Sequence, residues 1–197
     1  MNFLLAIFWF FAAKILAHPF VVSYLIERAK RTPYQHILSP DRTQTYMERY
    51  WLFNPYPTQA ERDAIKASGA KPKWRFPISV RLHCIRTPDI DRHLHDYPWN
   101  ARTIILRGSY VESRKQLVRD LPKEWGCFED VWYKRLAGDT ARILFESYHR
   151  IVNIHPAPGE DGVWTLFITG KFRGDWGYDV DGIKIPHHEY NKGNALQ

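Results

Sequence analysis

Asp91-Arg92-His93-Leu94-His95-Asp96-Tyr97-Pro98-Trp99, followed by the apolar run Thr103-Ile104-Ile105-Leu106 and a turn glycine at Gly108, is the stretch on which the reading of this chain turns. Alternate side chains of a strand share one face, so His93 and His95 can point together into a barrel and hold a metal. Asp91 and Tyr97 have the same parity. The first expectation is therefore a metal-binding β-barrel.

Around that stretch the pattern is period two. Ile78, Val80, Leu82 and Cys84 alternate with Ser79, Arg81, His83 and Ile85, and further β-like runs cover 103–106, 110–114, 131–136, 141–145, 149–154 and 164–169, separated by Gly, Pro and Asp turns. Seven or so short strands without intervening helices predict a mainly β sandwich or barrel over 74–190, with residues 191–197 as a tail. Residues 32–73 are aromatic and rich in breakers such as Pro33, Pro40, Pro55 and Pro57, which predicts a segment wrapping the domain. Within it, Thr58-Gln59-Ala60-Glu61 has the form of a capping box and predicts a short helix from Gln59 to about Ala67, stopped by Gly69 and Pro72.

Residues 1–31 differ from everything that follows. Phe, Leu, Ile, Ala and Val dominate 3–26, interrupted by Lys14, His18 and Pro19 and followed by Arg28, Lys30 and Arg31. About 20 apolar residues span a bilayer, and a lysine within the span costs about 2.5–3.5 kcal/mol on the insertion scale. The expectation is an N-terminal apolar helix that spans the membrane, lies in its interface with the basic end on lipid phosphates, or packs on the barrel. No basic residue precedes the apolar run, so a secretory signal fits poorly. A spanning helix would put the remaining domain on the cytoplasmic side, and the expected location is the cytoplasm or the cytoplasmic face of a membrane.

At 197 residues, with 45% apolar and 15% aromatic content, the chain suits one compact domain with appendages. A formal charge of +7 favours an anionic partner: a membrane surface, a nucleic acid or a small acidic ligand. Nucleic acid has little beyond charge to support it, since no RNP-like or finger motif occurs. Cys84 and Cys127 form neither a disulfide framework nor a CxxC zinc site, and free thiols are expected. No nucleophile elbow, P-loop, GxGxxG or HExxH pattern appears, which leaves hydrolase, nucleotide-phosphate and dinucleotide readings without support.

Leu94-His95-Asp96-Tyr97-Pro98-Trp99, continued by Arg102-Thr103-Ile104-Ile105-Leu106-Arg107-Gly108-Ser109-Tyr110-Val111-Glu112, resembles a family of uncharacterised cupin-like proteins of bacteriophages and bacteria. Arg81-Leu82-His83 before it, Gly138-Asp139 and His149 after it, and Trp164-Thr165-Leu166-Phe167-Ile168-Thr169-Gly170 with Trp176-Gly177-Tyr178 near the end extend the likeness over roughly residues 32–190. The resemblance implies a cupin-like double-stranded β-barrel, with a His-x-His pair and one later histidine meeting inside it. Here His95 and His149 occupy two of those places, Tyr97 stands where the family has the second histidine of the pair, and Ala101 stands where many cupins carry a glutamate. His93 can complete the set by a two-residue shift.

Three imidazoles with an open position suit a divalent metal, Fe, Mn, Ni or Zn, without choosing among them. The candidate site is therefore His93, His95 and His149 as ligands, with Tyr97 and Glu112 as catalytic groups. Arg81, Arg102 and Arg107 would hold a small anionic substrate through bidentate contacts. His83 is a further candidate ligand, whereas His155 and His187-His188-Glu189 read as surface residues. Trp99, Trp164, Trp176 and Tyr110 read as packing. Two functions follow: a metal-dependent enzyme, such as a dioxygenase or isomerase acting on a small anion, or a non-catalytic ligand- or protein-binding module, membrane-associated through residues 3–26. Oligomeric state, substrate and metal stay open.

Overall fold

The computed structural model describes residues 3–39, 43–69, 76–89, 91, 93–118 and 127–194. In chain order the elements are helices α1 (Phe3–Leu16) and α2 (Pro19–Lys30), strands β1 (Pro33–Leu38) and β2 (Thr45–Phe53), and helix α3 (Gln59–Ser68). Then come β3 (Ser79–Ile85), β4 (Leu94–His95), β5 (Trp99–Arg107), β6 (Ser109–Leu117), β7 (Phe128–Leu136), β8 (Thr140–Ile143), β9 (His149–His155) and β10 (Val163–Phe172). Strands β11 (Gly177–Val180) and β12 (Ile183–Pro186) and helix α4 (His187–Asn194) complete it.

The strands form two antiparallel sheets, one ordered β1-β2-β3-β10-β5-β8 and the other β12-β11-β4-β9-β6-β7. Setting aside β1, β2, β11 and β12 leaves β3-β10-β5-β8 facing β4-β9-β6-β7, the strand order of an eight-stranded jelly roll. The tight β5–β6 turn needs Gly108: its φ is +81°, and an added Cβ would lie 2.9 Å from the His155 carbonyl oxygen.

The core has three parts. Met47, Ile85, Ile105, Tyr110, Ile151 and Val163 fill the barrel, and Ala101, Ile143 and Phe167 with Tyr97 and Trp99 close one region of it. The third part lies outside the first sheet, where Leu82, Cys84, Ile104, Leu106 and Leu166 pack against Ala13 of α1 and Val22, Ile26 and Ala29 of α2. That sheet is covered on both faces, which is why β5 reads as the unbroken run Ile104-Ile105-Leu106 instead of alternating.

The N-terminal segment departs from a single apolar helix: α1 and α2 are bent by 79° across a break at His18–Pro19, where proline takes the first position of α2. No single helix among the described residues is long and apolar enough to cross a membrane. The expected wrap contains two strands, since β2 pairs with β3 and β1 with β2. The α3 capping box is present, with the Thr58 hydroxyl accepting from the Glu61 amide and the Glu61 carboxylate accepting from the Thr58 amide. Pro72 and Trp74 lie outside the described residues, as do residues 195–197 of the expected tail, whose earlier part belongs to α4.

Short β4 is tied to β11 largely through Asp96. This carboxylate is fully buried, accepts from the Gly177 amide at 2.7 Å, and accepts from Lys184 Nζ on β12 at 2.6 Å. Asp96→Ala should lower unfolding stability by about 3 kcal/mol, the usual range for hydrogen bonds to a charged group, as read by urea denaturation. An unchanged midpoint would show that β4 is held by other contacts.

Candidate ligand pocket and histidine pair

The barrel interior brings His95 and His149 together. They are register partners on β4 and β9, with ring centroids 4.9 Å apart. Tyr97 packs against both, at 5.5 Å from His95 and 5.2 Å from His149, and reaches the opposite sheet through Trp99 and Phe167. Burial, then the neighbouring His95 and Arg114, hold His149 well below the usual histidine range, so its ring is neutral. Burial raises the Tyr97 phenol, which keeps its proton. Nδ1 of His95 and both ring nitrogens of His149 are buried without a hydrogen-bond partner.

The third expected ligand is elsewhere. His93 Nδ1 lies 3.0 Å from the Tyr190 hydroxyl of α4, and its ring packs edge-on against that tyrosine. Among the described residues no group of three His, Cys, Asp or Glu side chains is placed to hold a metal. The three-imidazole centre of His93, His95 and His149 is therefore not assembled, and the two imidazoles present do not fit a resident three-ligand metal. His83, the further candidate, lies on β3 against Phe167, 5.1 Å between centroids.

Glu112 does not act as a free catalytic carboxylate. It is 1% exposed and neutralised by Arg114 at 3.0 Å and Arg135 at 2.6 Å, and the nearer His149 nitrogen is 3.8 Å away. Two of the three arginines expected in the pocket are also outside it. Odd-numbered residues 101–105 of β5 face the barrel, which turns Arg102 to the outer surface, where it sits 4.4 Å over the Trp9 ring and donates to the Thr140 hydroxyl. Arg107 is held by Glu160 and by the Ser23 hydroxyl of α2. Trp164 lies beneath the helices and donates to Glu160, while Trp176 stacks on His187 at 4.5 Å, so that histidine is packed and not freely solvated.

Arg81 does face inward. It is 5% exposed, its Nε has no hydrogen-bond partner, and its guanidinium lies over Trp51, Trp99 and Tyr34 at 4.6, 5.2 and 5.7 Å. Arg49 shares the Tyr34 ring at 4.4 Å and donates from Nε to the Gln35 carbonyl. Burial and the charge of Arg81 both lower Arg49, although contact with Tyr34 works the other way. His83, the register partner of Arg49, is pushed down to about 3 by burial, Arg81 and Arg49, and its Nε2 is unpaired. Two guanidiniums and a neutral imidazole thus share an aromatic cradle, and no carboxylate is paired with either guanidinium among the described residues.

Sequence reasoning missed Arg49. The signal was there: Thr45, Met47, Arg49, Trp51 and Phe53 alternate along β2, but the flanking prolines made the segment read as a turn-rich wrap around the domain.

No protein-family model matches this sequence, and no curated protein sequence matches it. Solved structures do. A cupin 2 conserved barrel domain protein from Rhodopseudomonas palustris matches at 15% identity and a TM-score of 0.36, over 76% of each chain. The 7S globulin of Momordica charantia matches at 9% and 0.48, over 86% of this chain and 43% of its own. A chain from crystal structures of two DMSP lyases matches at 12% and 0.38, over 69% of this chain and 55% of its own. The chain thus spans about half the length of the lyase chain and less of the globulin. The jelly-roll assignment rests on the strand order above.

The lowered histidines make a pH prediction. Both rings are neutral when folded and take up a proton more readily when unfolded, so neither affects stability above about pH 6.5, where both states are neutral, and each destabilises the fold below it. The loss grows by up to about 1.4 kcal/mol per pH unit per ring as pH drops from there, and for His83 it levels off near pH 3. Ring proton shifts of His83 and His149 should stay flat from pH 8 to pH 5 by NMR; titration of either near 6.5 would contradict its burial.

Proposed function

We propose that this protein binds a small organic anion inside its jelly roll, at the cradle formed by Arg49, Arg81 and His83. The observation that supports this most directly is Arg81, a buried guanidinium among aromatic rings with no carboxylate paired to it among the described residues. An unpaired buried cation carries a desolvation penalty of several kcal/mol, and an anion that reaches it offsets that penalty. Guanidinium presents a planar fork that matches a carboxylate, and Arg49 on the same tyrosine face supplies a second one. The neutral His83 adds a hydrogen-bonding nitrogen without a further charge. A mono- or dicarboxylate of a few carbons suits this donor set.

A catalytic reading of the same barrel has one specific observation behind it, the neutral His149 ring packed against His95 and beside the protonated Tyr97. Neutral imidazoles accept protons, and a phenol that keeps its proton can donate one. No metal step enters this reading, because the donor set does not form a three-ligand centre.

Calorimetry and thermal unfolding with oxalate, malonate and succinate, each against its neutral diamide, test the proposal. At least one dianion should bind and raise the melting temperature, by about 2.7 kcal/mol of added stability at a hundredfold excess over Kd. Arg81→Met should weaken that binding at least about tenfold, a loss of 1.4 kcal/mol or more, while leaving the folded protein as stable or more so. No carboxylate binding by the wild type, or binding unchanged in folded Arg81→Met, would overturn the reading. Incubating the bound ligand and following it by NMR separates binder from enzyme, with conversion lost in His149→Ala supporting catalysis.

A further inference from the structure

The N-terminal helices differ in what they present outward. On α2 the exposed positions include Ser23, Glu27, Arg28 and Lys30, an ordinary amphipathic arrangement over a sheet. On α1, Ala6, Trp9, Ala13 and Leu16 turn toward the barrel, and the opposite stripe is Leu4, Phe8, Phe11 and Ile15, exposed by 71, 58, 59 and 65%. Phe3 at the start of α1 is 76% exposed, and Phe20, across the 79° bend in the first turn of α2, is 79% exposed. The one charge in α1 does not join that stripe: Lys14 lies over the glycine turn at Gly138, where an added Cβ would be 2.8 Å from its Cδ, and its ammonium is 3.7 Å from Asp139. A helix packed on its own domain thus shows water a continuous apolar face.

Beside that face is a groove of about 500 Å³ between α1 and the β5–β8 side of the sheet, lined by Trp9, Phe10, Arg102, Arg135, Arg142 and Asp139, among others. Arg102 and Arg142 are direct cross-strand partners, a like-charge pairing that destabilises a sheet. Neither is paired with a carboxylate among the described residues. Arg135 is engaged by Glu112, and the groove's acid, Asp139, is engaged by Lys14 and by the Leu136 amide at 2.9 Å. Burial and Arg142 lower Arg102.

We infer that the protein docks on an anionic phospholipid surface through α1, whose outer stripe enters the acyl boundary while the Arg102–Arg142 groove receives a lipid phosphate. The helix lies in the interface and does not cross: 14 residues reach about 21 Å at 1.5 Å per residue, against about 30 Å of hydrocarbon. Charge argues for lipid over a second copy of this chain. Pairing two α1 faces would bury apolar surface but would bring further arginines to a pair that already lacks an acid, whereas a phosphate supplies the missing charge at the edge of the apolar stripe. The inference is independent of the ligand cradle, which lies on the other face of the sheet.

Flotation of the full chain with phosphatidylcholine vesicles, with and without phosphatidylglycerol, tests it. The protein should float with the anionic vesicles and far less with the neutral ones, and added salt should weaken binding. Arg102→Gln with Arg142→Gln should lower partitioning to anionic vesicles about tenfold or more. Phe8→Ser with Phe11→Ser, at exposed positions, should abolish it while circular dichroism and thermal unfolding match the wild type. Equal flotation with both vesicles that ignores the arginine changes would overturn the headgroup assignment. No flotation by folded protein, with dimers in sedimentation that the Phe8 and Phe11 changes dissociate, would overturn the lipid surface in favour of a second copy.

Discussion

Burial of one sheet on both faces organises this molecule. The second sheet covers the inner side of β3, β10, β5 and β8, and the bent helix pair covers the outer side. Most residues of β3, β5 and β10 meet one of two dry environments, and the pleat decides which. On β5 this sends Ala101, Thr103 and Ile105 into the barrel and Arg102, Ile104 and Leu106 beneath the helices. The same division separates the two cationic features, so that Arg81 serves an internal cradle and Arg102 an external groove.

The charges turned inward, buried at Asp96, Glu112 and Arg81 and half-buried at Arg49, fall into two kinds. Asp96 and Glu112 are nearly or fully inaccessible and are met by an amide and a lysine, or by two arginines. Their local accounts are closed, and they fix strand placement. Arg49 and Arg81 lie on aromatic faces that soften the burial of a guanidinium through its attraction to the ring quadrupole, yet cancel no charge. Among the described residues these two acids are neutralised while the two bases meet no carboxylate, which gives the interior a polarity.

Much of the β architecture was legible because strands with a period-two pattern announce themselves: 79–85, 103–106, 110–114 and 149–154 all fall within strands, and only Ile78 of the first run lies outside. The His95–His149 approach was legible too, through the resemblance. Parity alone misled at His93, because that residue precedes β4 and answers to Tyr190, not to the pleat of a strand. The arginines were mislaid for a related reason: Arg102 and Arg107 sit in a sequence that is apolar on both parities, so no alternation told inside from outside. Glu112 was recognised as close to the site, but its two arginine partners come from its own strand and from β7, a pairing set by strand register.

Cys84 lies in the layer between the first sheet and the helix pair, and burial pushes its thiol up to about 12. A thiol so placed is unreactive while α1 and α2 are seated, since the thiolate is both scarce and covered. Lifting the helices from the sheet would uncover it. The chain therefore carries a chemical reporter of its own helix seating, and the modification rate of that single sulfur measures how often the outer layer opens.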